Sequence, residues 1–160
     1  MNLSLIFSKL GFSTGISQNI ILLLAIIFVS FIFGMFMGRY KLISILINIY
    51  ASLAIVSAIP EKYLTDYSYK LIAFLLITVA LTLAGKKLFE IHISGSGSGF
   101  LWRVFAMSFL EVVMLTSIIL TFMPKKAALG YVSPSSYEYL ASENARLIWL
   151  IAPLIFMFFI

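Results

Sequence analysis

Asn19–Ile59 reads NIILLLAIIFVSFIFGMFMGRYKLISILINIYASLAIVSAI, and the reading of this stretch decides the fold. Its first half, Ile20 to Met37, is almost unbroken Ile, Leu, Phe and Met. The second half, Leu42 to Ile59, is as apolar but carries Ser44, Asn48, Ser52 and several alanines. Each half is about 18 to 20 residues, the length a helix needs to cross a hydrocarbon core of roughly 30 Å. Between them stand Gly38, Arg39, Tyr40 and Lys41. Two basic side chains so close together belong at a membrane surface and not in hydrocarbon. The sequence therefore predicts a transmembrane helical hairpin that turns at 38–41, with Arg39 and Lys41 marking the surface.

Composition agrees. Of 160 residues, 62% are hydrophobic, and the mean hydropathy is +1.12. A soluble domain of this size has too much surface for its volume to hide that much apolar area, so lipid must cover part of it. The length allows one helical domain and no separate soluble module. The chain has no cysteine, which excludes disulfides, thiol catalysis and thiolate metal sites. The net charge of +5 comes from basic residues placed singly or in pairs at the ends of apolar runs. There they meet lipid headgroups; no basic stripe interleaved with stacking aromatics suggests nucleic acid.

Working outward, residues 1–18 mix Leu3, Leu5, Ile6, Leu10 and Phe12 with Asn2, Ser4, Ser8 and Lys9. The run is too short for a span and lacks the basic start of a secretory signal, so a short interfacial helix is expected. After Pro60, the tyrosines Tyr63, Tyr67 and Tyr69 among charges read as an aromatic belt at headgroup level. A third span is expected at about 71–87, brought to the surface by Gly85-Lys86-Lys87. The alternation Ser94 to Gly99 is a linker by composition and lacks the lysine of a phosphate-binding loop. A fourth span, about 100–123, opens with Trp102 and Arg103 as interfacial anchors. Beyond Pro124-Lys125-Lys126 comes a loop over 127–135, and Ser135 and Glu138 have the spacing of a capping box. A tail helix, about 135–160, is amphipathic to Arg146 and apolar afterwards, with Pro153 inside. It either lies at the interface and dips into the bilayer, bending near Pro153, or makes a fifth span. The fold class is thus all-α: a polytopic membrane protein with four transmembrane helices (about 19–38, 42–59, 71–87 and 100–123), an N-terminal interfacial helix and a C-terminal amphipathic or re-entrant helix.

Three groups of residues invite a role. Ser30, Gly34 and Gly38 recur at steps of four on the first span, a groove of small residues that lets another helix approach closely. Ser44, Asn48 and Ser52 recur at the same step on the second, as glue between helices or as the lining of a polar path. Glu111 lies near the middle of the fourth span, where a charged carboxylate costs about 2.5–3.5 kcal/mol on insertion scales. It must be protonated, paired or facing a polar interior. It is either a proton- or ion-handling site, a contact for a charged partner helix, or a neutral acid bonded to Asn48, Ser108 or a nearby hydroxyl. His92 is the lone histidine, with no second His and no Cys to complete a zinc site. No catalytic set, metal site or cofactor-binding motif is present in the sequence.

The arrangement resembles the colicin V production protein family of bacterial inner-membrane proteins from the first span onward. Gly38-Arg39-Tyr40-Lys41-Leu42 matches the glycine and the basic position of the family's turn but not its glutamate. Trp102-Arg103 keeps the arginine of its Asp-Arg before the fourth span. Ala106 stands for one of its glycines, and Glu111 falls near the place of an intramembrane arginine, with opposite charge. Ser142 to Pro153 resembles its closing helix. The resemblance implies a non-enzymatic role in the inner (plasma) membrane, linked to toxin export or envelope homeostasis. The sequence thus leads to a multi-pass scaffold or accessory subunit, packed with copies of itself or with another membrane protein. The alternative is an oligomeric channel or transporter with Glu111 near an ion or proton path. Basic residues nearly balance between the two sides; the denser 39–41 turn and 86–103 loop favour the cytoplasm for that side.

Overall fold

The computed structural model describes residues 14–88 and 100–158, all helices and short connections. The interfacial helix expected before residue 19 falls mostly outside them, as do His92 and the Ser/Gly linker. Helix α1 spans Thr14–Ala58 and α2 Tyr67–Leu88, with a 3-10 turn Glu61–Tyr63 between them. Helix α3 follows at Phe100–Phe122, then the single turn α4 at Lys125–Ala128, α5 at Pro134–Ala141 and α6 at Glu143–Met157. Four segments are long and apolar enough to cross a membrane: Gln18–Met37 and Lys41–Ala58 within α1, Tyr67–Gly85 and Leu101–Phe122. The chain is a polytopic, all-helical membrane fold.

The backbone corrects the expected four-residue turn. No non-helical residue separates the two arms between Thr14 and Ala58, yet α1 is not one straight rod. Gly34 and Tyr50 are 16 positions apart, about 24 Å along a straight helix. Nevertheless Gly34 lies against Ser108, while Tyr50 packs against the apolar cluster that holds Met107 and Met114 of the same helix, α3. Asn19 bonds to Ser133, Ser135 and Ser136, beyond the C-terminal end of α3. The far end of α1 returns to that same side, because Phe74 of α2 meets Phe122 of α3 edge-on at 5.7 Å. The two arms therefore run in opposite directions, one helix abutting the next. Lys41 is exposed at the reversal; the side chains of Gly38 and Arg39 are not among those described.

Helix α3 is the post around which the others stand. In its apolar window, 56% is buried inside the molecule, against 17% for the first arm, 33% for the second and 6% for α2. Two apolar clusters flank it. One joins Leu46, Ile49 and Phe74 to Met107 and Met114; the other joins Ile26 to Val113, Leu120 and Leu140. The outer faces present Phe28, Phe36, Leu76, Val79 and Leu83, all exposed, as lipid-facing helices do.

The tail differs from expectation in two ways, each with a local cause. Its first helix starts at Pro134 and not Ser135, because Ser133 is the N-cap: its hydroxyl accepts from the Ser136 amide, and proline is well placed in the first turn. The bend of 53° falls between α5 and α6, at Ser142, and not near Pro153. Ser142 takes an extended backbone and caps α6 through the Ala145 amide. Pro153 stays inside α6, fully buried. Together α5 and α6 could make a fifth, broken span. The third span also begins earlier than read, at Tyr67, after Asp66 accepts the amides of Tyr69 and Lys70 on its carbonyl.

Candidate functional site

The small-residue positions lie inside the bundle. A Cβ built on Gly34 would stand 2.7 Å from Ser108 Oγ and 3.4 Å from Val104 Cγ1, so the first arm and α3 approach closely there because residue 34 has no side chain. Ser30, one turn before, is fully buried. On the second arm, Ser44 and Asn48 flank Gly85 of α2, and Asn48 donates to Thr82 at 3.4 Å. The described positions of both stripes thus face helices of the same chain. Arg103 is exposed near the start of α3, on the side of the 38–41 reversal.

Hydroxyls in these stripes mostly bond to their own helix. Ser30 donates to the Ile26 carbonyl at 2.6 Å, Ser52 to Asn48 at 2.6 Å, Thr78 to Phe74 at 2.8 Å and Ser108 to Val104 at 2.8 Å. This four-residue back-bond satisfies the hydroxyl without a partner helix. Ser117 is different: it reaches across to the Leu140 carbonyl at 2.6 Å, at the end of α5. Trp149 Nε1 donates to the neighbouring Tyr139 carbonyl at 2.8 Å. These two bonds satisfy carbonyls that the break at Ser142 leaves without intrahelical donors.

Glu111 is the exception to this self-sufficiency. It is fully buried on the post helix, and neither carboxyl oxygen has a hydrogen-bond partner among the described residues. The partners expected from sequence are committed elsewhere, Asn48 to Thr82 and Ser108 to Val104. Met107 and Met114, one turn to either side of Glu111, share an apolar cluster with Tyr50 and Leu150, but the Tyr50 hydroxyl donates to the Leu150 carbonyl of α6. No family model matches the chain, and neither a curated protein nor a solved structure is similar to it.

Sequence reasoning singled out Glu111 but missed its surroundings. The sequence reading passes over Tyr50, and no residue pattern announces that its hydroxyl ties the second arm to α6. The cluster of Asn19 with Ser133, Ser135 and Ser136 was also missed. Asn19 Nδ2 donates to Ser135 Oγ at 3.0 Å, and Asn19 Oδ1 accepts from Ser136 Oγ at 2.6 Å and from Ser133 Oγ. Three serines in four residues after a Gly-containing loop were the available signal. No group of three or more His, Asp or Glu side chains that could hold a metal occurs among the described residues.

Proposed function

We propose that this chain is a small, non-enzymatic scaffold or accessory subunit of the bacterial inner (plasma) membrane, working through helix contacts with a membrane-protein partner or with copies of itself. The reading rests chiefly on α2. Only 6% of its apolar window is buried inside the molecule, and Ile72, Leu76, Val79 and Leu83 are exposed along it. A helix held along so narrow a strip leaves most of its circumference for lipid or for another helix. The small-residue contacts and hydroxyl stripes are already used within the chain, so association would rely on this apolar perimeter. The resemblance to colicin V production proteins supports the same role, with toxin export or envelope homeostasis as its setting.

The absence of cysteine makes the test clean, since each introduced thiol is unique. Single cysteines at Leu76, Val79 and Leu83 are cross-linked in native membranes, and the gently extracted protein is weighed with every co-purifying chain. A cross-linked homo-oligomer, or a stoichiometric second protein attached through these positions, supports the proposal. A monomer with no cross-link at any of the three overturns it.

A further inference from the structure

We propose that Glu111, on the face of α3 whose Met107 and Met114 share an apolar cluster with Tyr50 and Leu150 of α6, is an exchangeable proton-binding site in the middle of the membrane. The carboxyl is fully shielded, and both its oxygens lack partners among the described residues. A charged carboxylate there would have lost all its water and gained no donor in return, so the resting group is the neutral acid. A neutral acid has a hydrogen to donate, and α6, which packs against α3, carries spare acceptors. Pro153 is fully buried in α6 and has no N–H to offer the Trp149 carbonyl one turn earlier. The next carbonyl, Leu150, is where the Tyr50 hydroxyl is bonded. Glu111, Tyr50 and the Trp149–Leu150 carbonyls thus bring a proton donor, a hydroxyl able to relay and spare acceptor capacity to one level of the bundle. Its occupant is a proton, passed to or from water.

The surroundings contain little else that titrates. Between Gln18 and Met37 the first arm has no ionisable side chain, and α2 has none between Leu71 and Gly85. The second arm carries Tyr50, packed in the same cluster as Met107 and Met114, and Lys41, exposed at the reversal. On α5 and α6, Glu138, Glu143 and Arg146 are exposed, as is Arg103 on α3 itself.

The test uses the full chain in liposomes. A hydrophobic carbodiimide, which attacks protonated carboxyls from the lipid phase, is expected to label Glu111, with the adduct mapped by mass spectrometry. A water-soluble carbodiimide is expected to label Glu61, Asp66, Glu138 and Glu143 but not Glu111. Infrared spectra are expected to show a protonated-carboxyl stretch that shifts in D2O and disappears in Glu111→Gln. The proposal is overturned if Glu111 escapes the hydrophobic reagent while surface carboxyls react. It is equally overturned if the stretch does not shift in D2O, which marks a sealed structural acid, or if sodium at constant pH abolishes labelling, which marks a sodium site. The mapping and the D2O shift are read on the wild-type chain, so they stand even where Glu111→Gln fails to fold.

Discussion

Gly34→Ala gives the sharpest check on the packing of the first arm against α3. The new Cβ would stand 2.7 Å from Ser108 Oγ and 3.4 Å from Ser108 Cβ. The hydroxyl can turn aside only by giving up its 2.8 Å bond to the Val104 carbonyl; otherwise the helices must part by several tenths of an ångström. Overpacking of this kind costs about 1–3 kcal/mol. Replacing glycine inside a helix returns about 0.8–1.0 kcal/mol of backbone propensity, leaving a net loss of about 0–2 kcal/mol. In a Ser108→Ala background the offending oxygen is gone, and the closest approach to that residue relaxes to the 3.4 Å of its Cβ. The same Gly34→Ala change should then be neutral or stabilising. A double-mutant cycle in detergent–urea unfolding, read by loss of helical circular dichroism, should show a coupling of about 1–3 kcal/mol. If Gly34→Ala shifts stability by the same amount in both backgrounds, the argument for this contact fails.

Three other changes follow the same geometry. At Gly85 a Cβ would meet Ser44 Oγ at 3.6 Å and Asn48 Nδ2 at 3.7 Å, ordinary contact distances, so Gly85→Ala should stabilise by up to about 1 kcal/mol; destabilisation in the same unfolding assay would contradict it. Asn19→Ala should loosen the start of α5 by about 1–3 kcal/mol, because the buried Ser133 and Ser136 hydroxyls lose their shared acceptor; faster amide exchange over 134–141 is the readout, and unchanged exchange refutes it. Glu111→Met keeps an unbranched chain but removes a buried, unpartnered carboxyl, so it should stabilise by about 1–3 kcal/mol; a loss of stability would mean that the carboxyl makes bonds in the native membrane.

The spans were legible because hydropathy changes abruptly at charged or proline-containing borders: Pro60, Lys86-Lys87 and Pro124 mark them in the sequence as they do in space. The reversal near 38–41 was legible for the same reason, although not that the two arms would abut with no non-helical residue between them. The bend of the tail was misplaced because proline is the louder signal, whereas Ser142 followed by Glu143 was the better one: a capping side chain ahead of an acidic first turn. The stripe at Ser44, Asn48 and Ser52 was visible, but not its direction of bonding, since a serine in a membrane helix can turn to its own backbone or to a neighbour with no change in sequence. The isolation of Glu111 was beyond sequence altogether. It depends on where Asn48 and Ser108 direct their hydrogens, which only packing decides.

The back-bonded hydroxyls have a consequence for assembly. Ser30, Ser52, Thr78 and Ser108 satisfy themselves on their own helices, so those bonds exist as soon as each helix has inserted and before any two have met. When separately inserted helices then come together, as membrane helices do, these groups have nothing left to gain. What selects the native arrangement at that stage is shape, together with the few bonds that cross between helices, Asn48 to Thr82, Tyr50 to Leu150 and Ser117 to Leu140: the missing side chain at Gly34, the small faces around it and the broken tail fit beside the post. A chain assembled this way can exchange these back-bonded hydroxyls for apolar groups of the same size, but can hardly change their volume.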